Sequence, residues 1–273
     1  VTITHTVTGA EAAGNSATVN IPAGNLAPDG SYALTATITD VAGNVGTATA
    51  PTNLVVDTAP PGGITGLTIP EGPLVNTSEN SDGIQTQVGV PASAQPGDVI
   101  KLTITPPSGP AFVVTHTVLA GEAGTNVTVT IPPQSIQGGT YNVASSITDS
   151  SGNVTAGPAG TFSLDTVQPG LASLVIPDAV DGYVNATDLT AGPDTAAGAN
   201  VNVTLPAGTV AGDVIALTLV KPDGSLIVIP HTVTAGEASG SAAVINIPGA
   251  NLGADGDDSA TARVTDAAGN VSA

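Results

Sequence analysis

Along most of this chain, apolar and polar residues alternate in short runs that Gly, Pro, Asn and Asp interrupt. That period of two is the mark of a half-buried strand, and no stretch carries a helical period over helical length. The clearest series lies between residues 58 and 166. It predicts about seven strands, at 65–69, 85–90, 99–105, 112–118, 126–131, 141–148 and 161–164. Pro106-Pro107-Ser108-Gly109 and Gly138-Gly139 supply turn chemistry between them. The sixth run places Tyr141, Val143 and Ile147 on one face, and an earlier run does the same with Tyr32, Leu34, Ala36 and Ile38.

That echo belongs to a repeat. His5-Thr6-Val7 returns as His116-Thr117-Val118 and His231-Thr232-Val233, each followed at a fixed distance by Glu11, Glu122 or Glu237. Ile21-Pro22, Ile131-Pro132 and Ile247-Pro248 come next in the same order. Gly97-Asp98-Val99-Ile100 recurs as Gly212-Asp213-Val214-Ile215, and Val75-Asn76 as Val184-Asn185. A Thr-Asp-x-x-Gly-Asn turn closes a strand three times, at residues 39–44, 148–153 and 265–270. The register divides the chain into the C-terminal half of a unit (1–57), a complete unit (58–166) and a unit lacking its last strand (167–273). Seven short strands in about 100 residues predict an all-β fold of tandem immunoglobulin-like β-sandwich domains. Half a sandwich cannot bury its own face, so the first segment needs a partner from a longer parent chain or from a second copy.

Charge narrows the function. Only three Lys and Arg residues face 22 Asp and Glu among 273 residues, for a formal net charge of −19. That sign excludes a nucleic-acid partner. With no cysteine there is neither a disulfide framework nor a thiolate metal site. No apolar run of membrane length predicts insertion into a bilayer. The acidity suits solubility outside the cell, or binding of a hard divalent cation.

Gly-Asp-Val-Ile, His-Thr-Val, the Ile-Pro pair, Asp29-Gly30 or Asp255-Gly256, and the Thr-Asp-x-x-Gly-Asn turn followed by Val56-Asp57-Thr58 resemble bacterial immunoglobulin-like repeats. Such repeats form the extender regions of large biofilm-type adhesins of the RTX class, often exported by type I secretion. The resemblance covers nearly the whole chain and implies calcium-rigidified tandem domains on the cell surface. One position departs: where Tyr32 and Tyr141 begin their strands, the last unit has Asp258. Looser packing there, or use of the extra acids for an ion, is expected.

In an antiparallel sandwich the second-to-third, fourth-to-fifth and sixth-to-seventh loops share the pole where the first strand begins. Asp98, Glu122 and Asp149 fall in those loops, and Asp57 arrives at the same pole from the unit before. Asp165, Asp213, Glu237 and Asp266 repeat the arrangement, and Asp40 is the matching turn carboxylate of the first segment. Calcium takes about six to eight oxygens, which these carboxylates and loop carbonyls could supply. Magnesium, with its stricter octahedron, suits assembled loops less well. The competing reading is that Asp and Asn cap tight turns through local hydrogen bonds. Glu71, Glu79, Asp178, Asp181 and Asp188 lie at the opposite poles.

No catalytic centre is expected. The three His residues occupy one repeat position, and one His with one Glu is too small a ligand set for zinc. The Asn-x-Ser/Thr matches read as incidental in a bacterial chain. Three functional readings remain: a structural extender that projects a distal adhesive domain; repeats that bind a glycan or host protein directly, with Tyr183 the lone aromatic candidate; and a filament subunit completed by strand addition between copies. The partners expected are neighbouring repeats, with self-assembly open.

Overall fold

The computed structural model describes residues 1–47, 51–133, 138–177, 198–252 and 257–273. In the first segment, a short helix α1 (Gly9–Gly14) precedes β1 (Gly30–Leu34), β2 (Thr37–Thr39), β3 (Val45–Thr47) and β4 (Thr52–Val56). β1 pairs with β4 and β2 with β3, all antiparallel. Two paired ribbons have no opposing layer, and no described residue of 1–57 is buried. Ile38, Val45 and Val55 remain 64%, 62% and 68% exposed. Their alternation marks a sheet face, but none of the described residues covers it.

Residues 58–166 form two packed sheets. β5 (Gly66–Thr68), β6 (Leu74–Val75), helix α2 (Thr77–Ser81), β7 (Ile84–Gly89), β8 (Val99–Thr105), β9 (Phe112–Thr117), β10 (Asn126–Ile131), β11 (Gly139–Thr148) and β12 (Val154–Leu164) follow in order. One sheet runs β10-β7-β5 and the other β6-β12-β11-β8-β9, the immunoglobulin-like sandwich expected. Every second residue points inward: Ile100, Leu102 and Ile104 from β8, and Tyr141, Val143 and Ile147 from β11, all at most 1% exposed. Tyr141 stacks on Phe162 of β12 with ring centroids 4.9 Å apart.

Two strands differ from the sequence expectation. The first strand, expected whole at 65–69, is split between sheets. The turn at 70–73 carries the chain from β5, paired with β7, to β6, which runs parallel to β12. The last strand, expected at 161–164, starts at Val154. Gly157, Pro158 and Gly160 read as loop, but the β11–β12 register shifts between Ala144 and Ser146. That bulge accommodates a proline, and the Ser145 hydroxyl donates to the Pro158 carbonyl at 2.6 Å. The short helices are also additions to the expected all-strand pattern.

The last unit repeats the plan with β13 (Ser173–Val175), β14 (Gly198–Thr204), β15 (Val214–Val220), β16 (Leu226–Thr232), helix α3 (Ala235–Gly240), β17 (Ala242–Pro248) and β18 (Ser259–Thr265). Its sheets are β13-β14-β17 and β16-β15-β18. Val201, Val203, Ile215, Leu217, Ile247 and Val264 fill the space between them, each at most 1% exposed. After β18 the chain doubles back, with a Thr265–Val271 bridge and Ser272 bonded to Val264 through both N–H and hydroxyl.

Candidate functional site

The three Thr-Asp-x-x-Gly-Asn turns fold identically, and the reason is local. In the first, Asp40 Oδ1 accepts from the N–H groups of Ala42 (2.9 Å) and Asn44 (2.8 Å), and Oδ2 accepts from Asn44 Nδ2 (2.8 Å). Asp149 and Asp266 repeat this with their own Asn153 and Asn270. Gly43, Gly152 and Gly269 sit at φ +92°, +94° and +93°, where a side chain is strained. The asparagine amide holds the Asp40 and Asp149 carboxyls below the usual carboxylate range, with backbone N–H groups adding to the effect.

Two of these turns meet another unit. Asn153 Nδ2 also donates to the carbonyl of Asp57 (3.1 Å), and the Ser151 hydroxyl donates to Asp57 Oδ2 (3.1 Å). Asp149 therefore shares its turn with Asp57 of the preceding unit. At the next junction Asn270 Nδ2 donates to the carbonyl of Asp165 (2.9 Å). The carboxylates of Asp57 and Asp165 each cap the residue two further on, accepting from Ala59 N–H (3.1 Å) and Val167 N–H (3.0 Å). Strand register brings Asp98 and Asp213 to the same poles, because Val99 pairs with Thr148 and Val214 with Thr265. Both are buried and cap their own turns, Asp98 accepting from Gln95 N–H and Asp213 from Val210 N–H, at 2.9 Å each.

Glu122 and Glu237 serve a separate clasp, shared with Glu11. Each is bonded to the histidine six residues earlier: His5–Glu11 at 2.9 Å, His116–Glu122 at 2.8 Å and His231–Glu237 at 2.9 Å. Among the described residues these are the ion-pairing contacts of the chain. Thr8 and Thr234 build capping boxes with Glu11 and Glu237 and start α1 and α3. Leu119 stands in the Thr position of the middle unit, and there the loop forms no helix. The Thr8 N–H and hydroxyl, with His5, bring Glu11 down to about 2. Glu122 is lowered by the Leu119 N–H and then His116, and Glu237 by the Thr234 N–H, with His231 adding to it.

Among the described residues no group of three or more acidic or histidine side chains stands close enough to hold a metal. Asp213 is 2% exposed, and among the described residues its buried Oδ1 has no hydrogen-bond partner. A second such oxygen, Asp258 Oδ1, lies just before β18. There, Tyr32 in β1 instead donates its hydroxyl to the Pro28 carbonyl, and Tyr141 in β11 stacks on Phe162. Asp178, Asp181, Tyr183, Asp188 and Asp255 lie outside the described residues.

Sequence reasoning missed the most connected junction residues. Asn76 caps α2 through Glu79 N–H (3.0 Å), and its Nδ2 donates across the junction to the Ala268 carbonyl (3.0 Å). The neighbouring Thr77 N–H donates to Asn270 Oδ1 (3.2 Å). The recurrence of Val75-Asn76 at Val184-Asn185 was the available signal. Asn76 lies at the opposite pole, beside Glu79, and that pole of one unit faces the next.

The sequence model of the bacterial Ig-like domain family matches the strands from β9 to β12. The match spans residues 111–166. No curated protein matches the sequence. Among solved structures, one similar chain is a tetra-tandem repeat in the extending region of a large adhesion protein: 20% identity, 89% of this chain and 55% of that one, TM-score 0.32. Another, from a study of host-surface retention of a bacterial ice-binding adhesin, shows 26% identity over 86% of this chain and 68% of that one, TM-score 0.38. A single immunoglobulin-like domain of the M. primoryensis ice-binding adhesin shows 16% identity over 39% of this chain and 100% of that one, TM-score 0.25. The present chain spans little more than half of the first of these.

Proposed function

We propose that these repeats are a structural extender of a bacterial surface adhesin, outside the cell, holding a distal binding domain away from its anchorage. The carrying observation is that the same turn joins successive units twice, Asn153 to the Asp57 carbonyl and Asn270 to the Asp165 carbonyl. Units that meet their neighbours at the poles add length with every copy. The imidazoles are engaged by glutamates at one repeated position, a use that belongs to the scaffold.

Calcium is part of this proposal. The donors fit in kind, since hard carboxylate and carbonyl oxygens gather at the junction poles, and the orphaned Asp213 oxygen is what a cation would complete. Asp213, Asp266 and turn carbonyls would hold it, stiffening the junction by neutralising adjacent carboxylates.

Small-angle scattering on residues 1–273, with calcium and after chelation, tests the reading. One maximum dimension at all concentrations, with a narrower distribution in calcium, is the expected result. Growth with concentration would replace the extender with a self-assembling filament. Titration calorimetry on chelator-stripped protein tests the ion separately, and an absence of heat would remove calcium from the account.

A further inference from the structure

We propose that Asn270 and Asn76 form a two-point rotational lock between successive units, acting through the asparagine carboxamide and independently of any ion. The inference rests on the end-to-end reading of the chain and deepens it. One contact at a strand end fixes a distance but leaves rotation about the linker free. A second contact away from that axis removes the rotation.

The junction between the second and third units has both. At the strand end, Asn270 Nδ2 donates to the Asp165 carbonyl at 2.9 Å. At α2, Asn270 Oδ1 accepts the Thr77 N–H at 3.2 Å, and Asn76 Nδ2 donates to the Ala268 carbonyl at 3.0 Å. Thr77 Oγ1 donates to the Thr166 carbonyl at 3.4 Å, tying the two anchor segments of the same unit together. Asn270 thus uses its acceptor and both amide hydrogens, the second hydrogen going to Asp266 Oδ2 at 2.9 Å. Aspartate, the isosteric alternative, has no N–H to give.

The three turns form a graded series inside one chain. Among the described residues Asn44 bonds only its own Asp40, and it is exposed. Asn153 adds the Asp57 carbonyl and is half-buried. Asn270 adds contacts to two segments and is 5% exposed. Since the turn is complete at Asn44 without a neighbouring unit, the additional bonds of Asn270 belong to the junction. Gly269 fits the same account: a Cβ there would stand 3.1 Å from Asn76 Nδ2, whereas one at Gly152 or Gly43 would meet nothing within 4 Å. The Asn-x-x-acid cap of α2 also recurs in sequence as Asn185 to Asp188.

The absence of native cysteine makes the test direct. Spin labels at Thr115→Cys and Val228→Cys, on exposed positions of β9 and β16, report the distance distribution across this junction. With calcium and equally with chelator, Asn270→Asp is expected to widen that distribution at least about twofold. Asn76→Ala, which leaves the turn intact, should widen it by a smaller factor, and Asn44→Ala should leave it unchanged. Unchanged width in both Asn270→Asp and Asn76→Ala overturns the proposal. So does a wild-type distribution that chelation alone widens fully, with nothing added by either substitution. Concentration-dependent scattering growth with a narrow label distribution would instead defeat the extender reading and leave the lock standing.

Discussion

At the scale of single residues, the His–Glu clasp is one pH-sensitive element of the chain. Glu11, Glu122 and Glu237 have folded-state acidities below their ordinary value of 4.5, Glu11 down to about 2. A carboxyl with a depressed folded pKa stabilises the fold above its unfolded pKa, and the contribution fades as pH falls through the folded value. Thermal unfolding of the wild type and of Glu237→Gln should differ at pH 7 and converge as pH drops from about 4.5 towards the folded value. The midpoint of the Gln variant should lie lower at neutral pH. A gap that grows on acidification would reverse the assignment. The same scale explains what the sequence concealed. Asp40, Asp149 and Asp266 announced themselves through spacing, but Asp in such a spacing serves a turn cap or an ion equally well. Only the hydrogen-bond count shows that both oxygens of each carboxylate accept local N–H groups.

At the scale of elements, the residue at one repeat position separates the loops that form a helix from the one that does not. Thr8 and Thr234 accept the N–H of Glu11 and Glu237 and return the bond through the glutamate. Leu119 can do neither with its side chain, and Glu122 reaches only the Leu119 N–H and His116. Thr234→Ala should therefore lower the stability of the last unit by about 1 kcal/mol in chemical denaturation. Leu119→Ala removes no cap and should leave the middle unit's cap energy untouched. The β-strands themselves were legible because alternation is a property of burial. Runs at 99–105 and 126–131 match β8 and β10 residue for residue. The ends of the sandwich were less legible. β5 and β6 lie in different sheets through a Gly-Pro turn, and β12 carries Pro158 in a bulge of its own, where Gly157 and Pro158 oppose Ser145 alone. Those outcomes depend on pairing partners far away in the chain, which a local pattern does not contain.

At the scale of the whole molecule, the three segments should differ in cooperativity, because burial is distributed so unequally among them. The middle unit closes two sheets over Ile84, Ile100, Leu102, Ile131, Tyr141, Val143, Ile147 and Phe162, all at most 1% exposed. Ile147→Ala should cost about 2–5 kcal/mol there, since the cavity lies between two hydrogen-bonded sheets that cannot collapse into it. Among the described residues the last unit has a smaller core, around Val201, Ile215, Leu217 and Ile247. Residues 1–57 bury nothing among those described, so their paired ribbons have hydrogen bonds but no apolar layer to hold them closed. Native-state amide exchange reads this directly, because protection tracks the free energy of the opening that exposes each amide. In the 1–273 chain, amides of β8 and β11 should exchange slowest, those of β15 and β18 faster, and those of β1 to β4 close to the unprotected rate. Ile147→Ala should accelerate exchange throughout β7 to β12 while leaving β15 unchanged if the units unfold separately. Equal acceleration in β15 would mean that the Asn270 junction transmits unfolding between units as well as fixing their rotation.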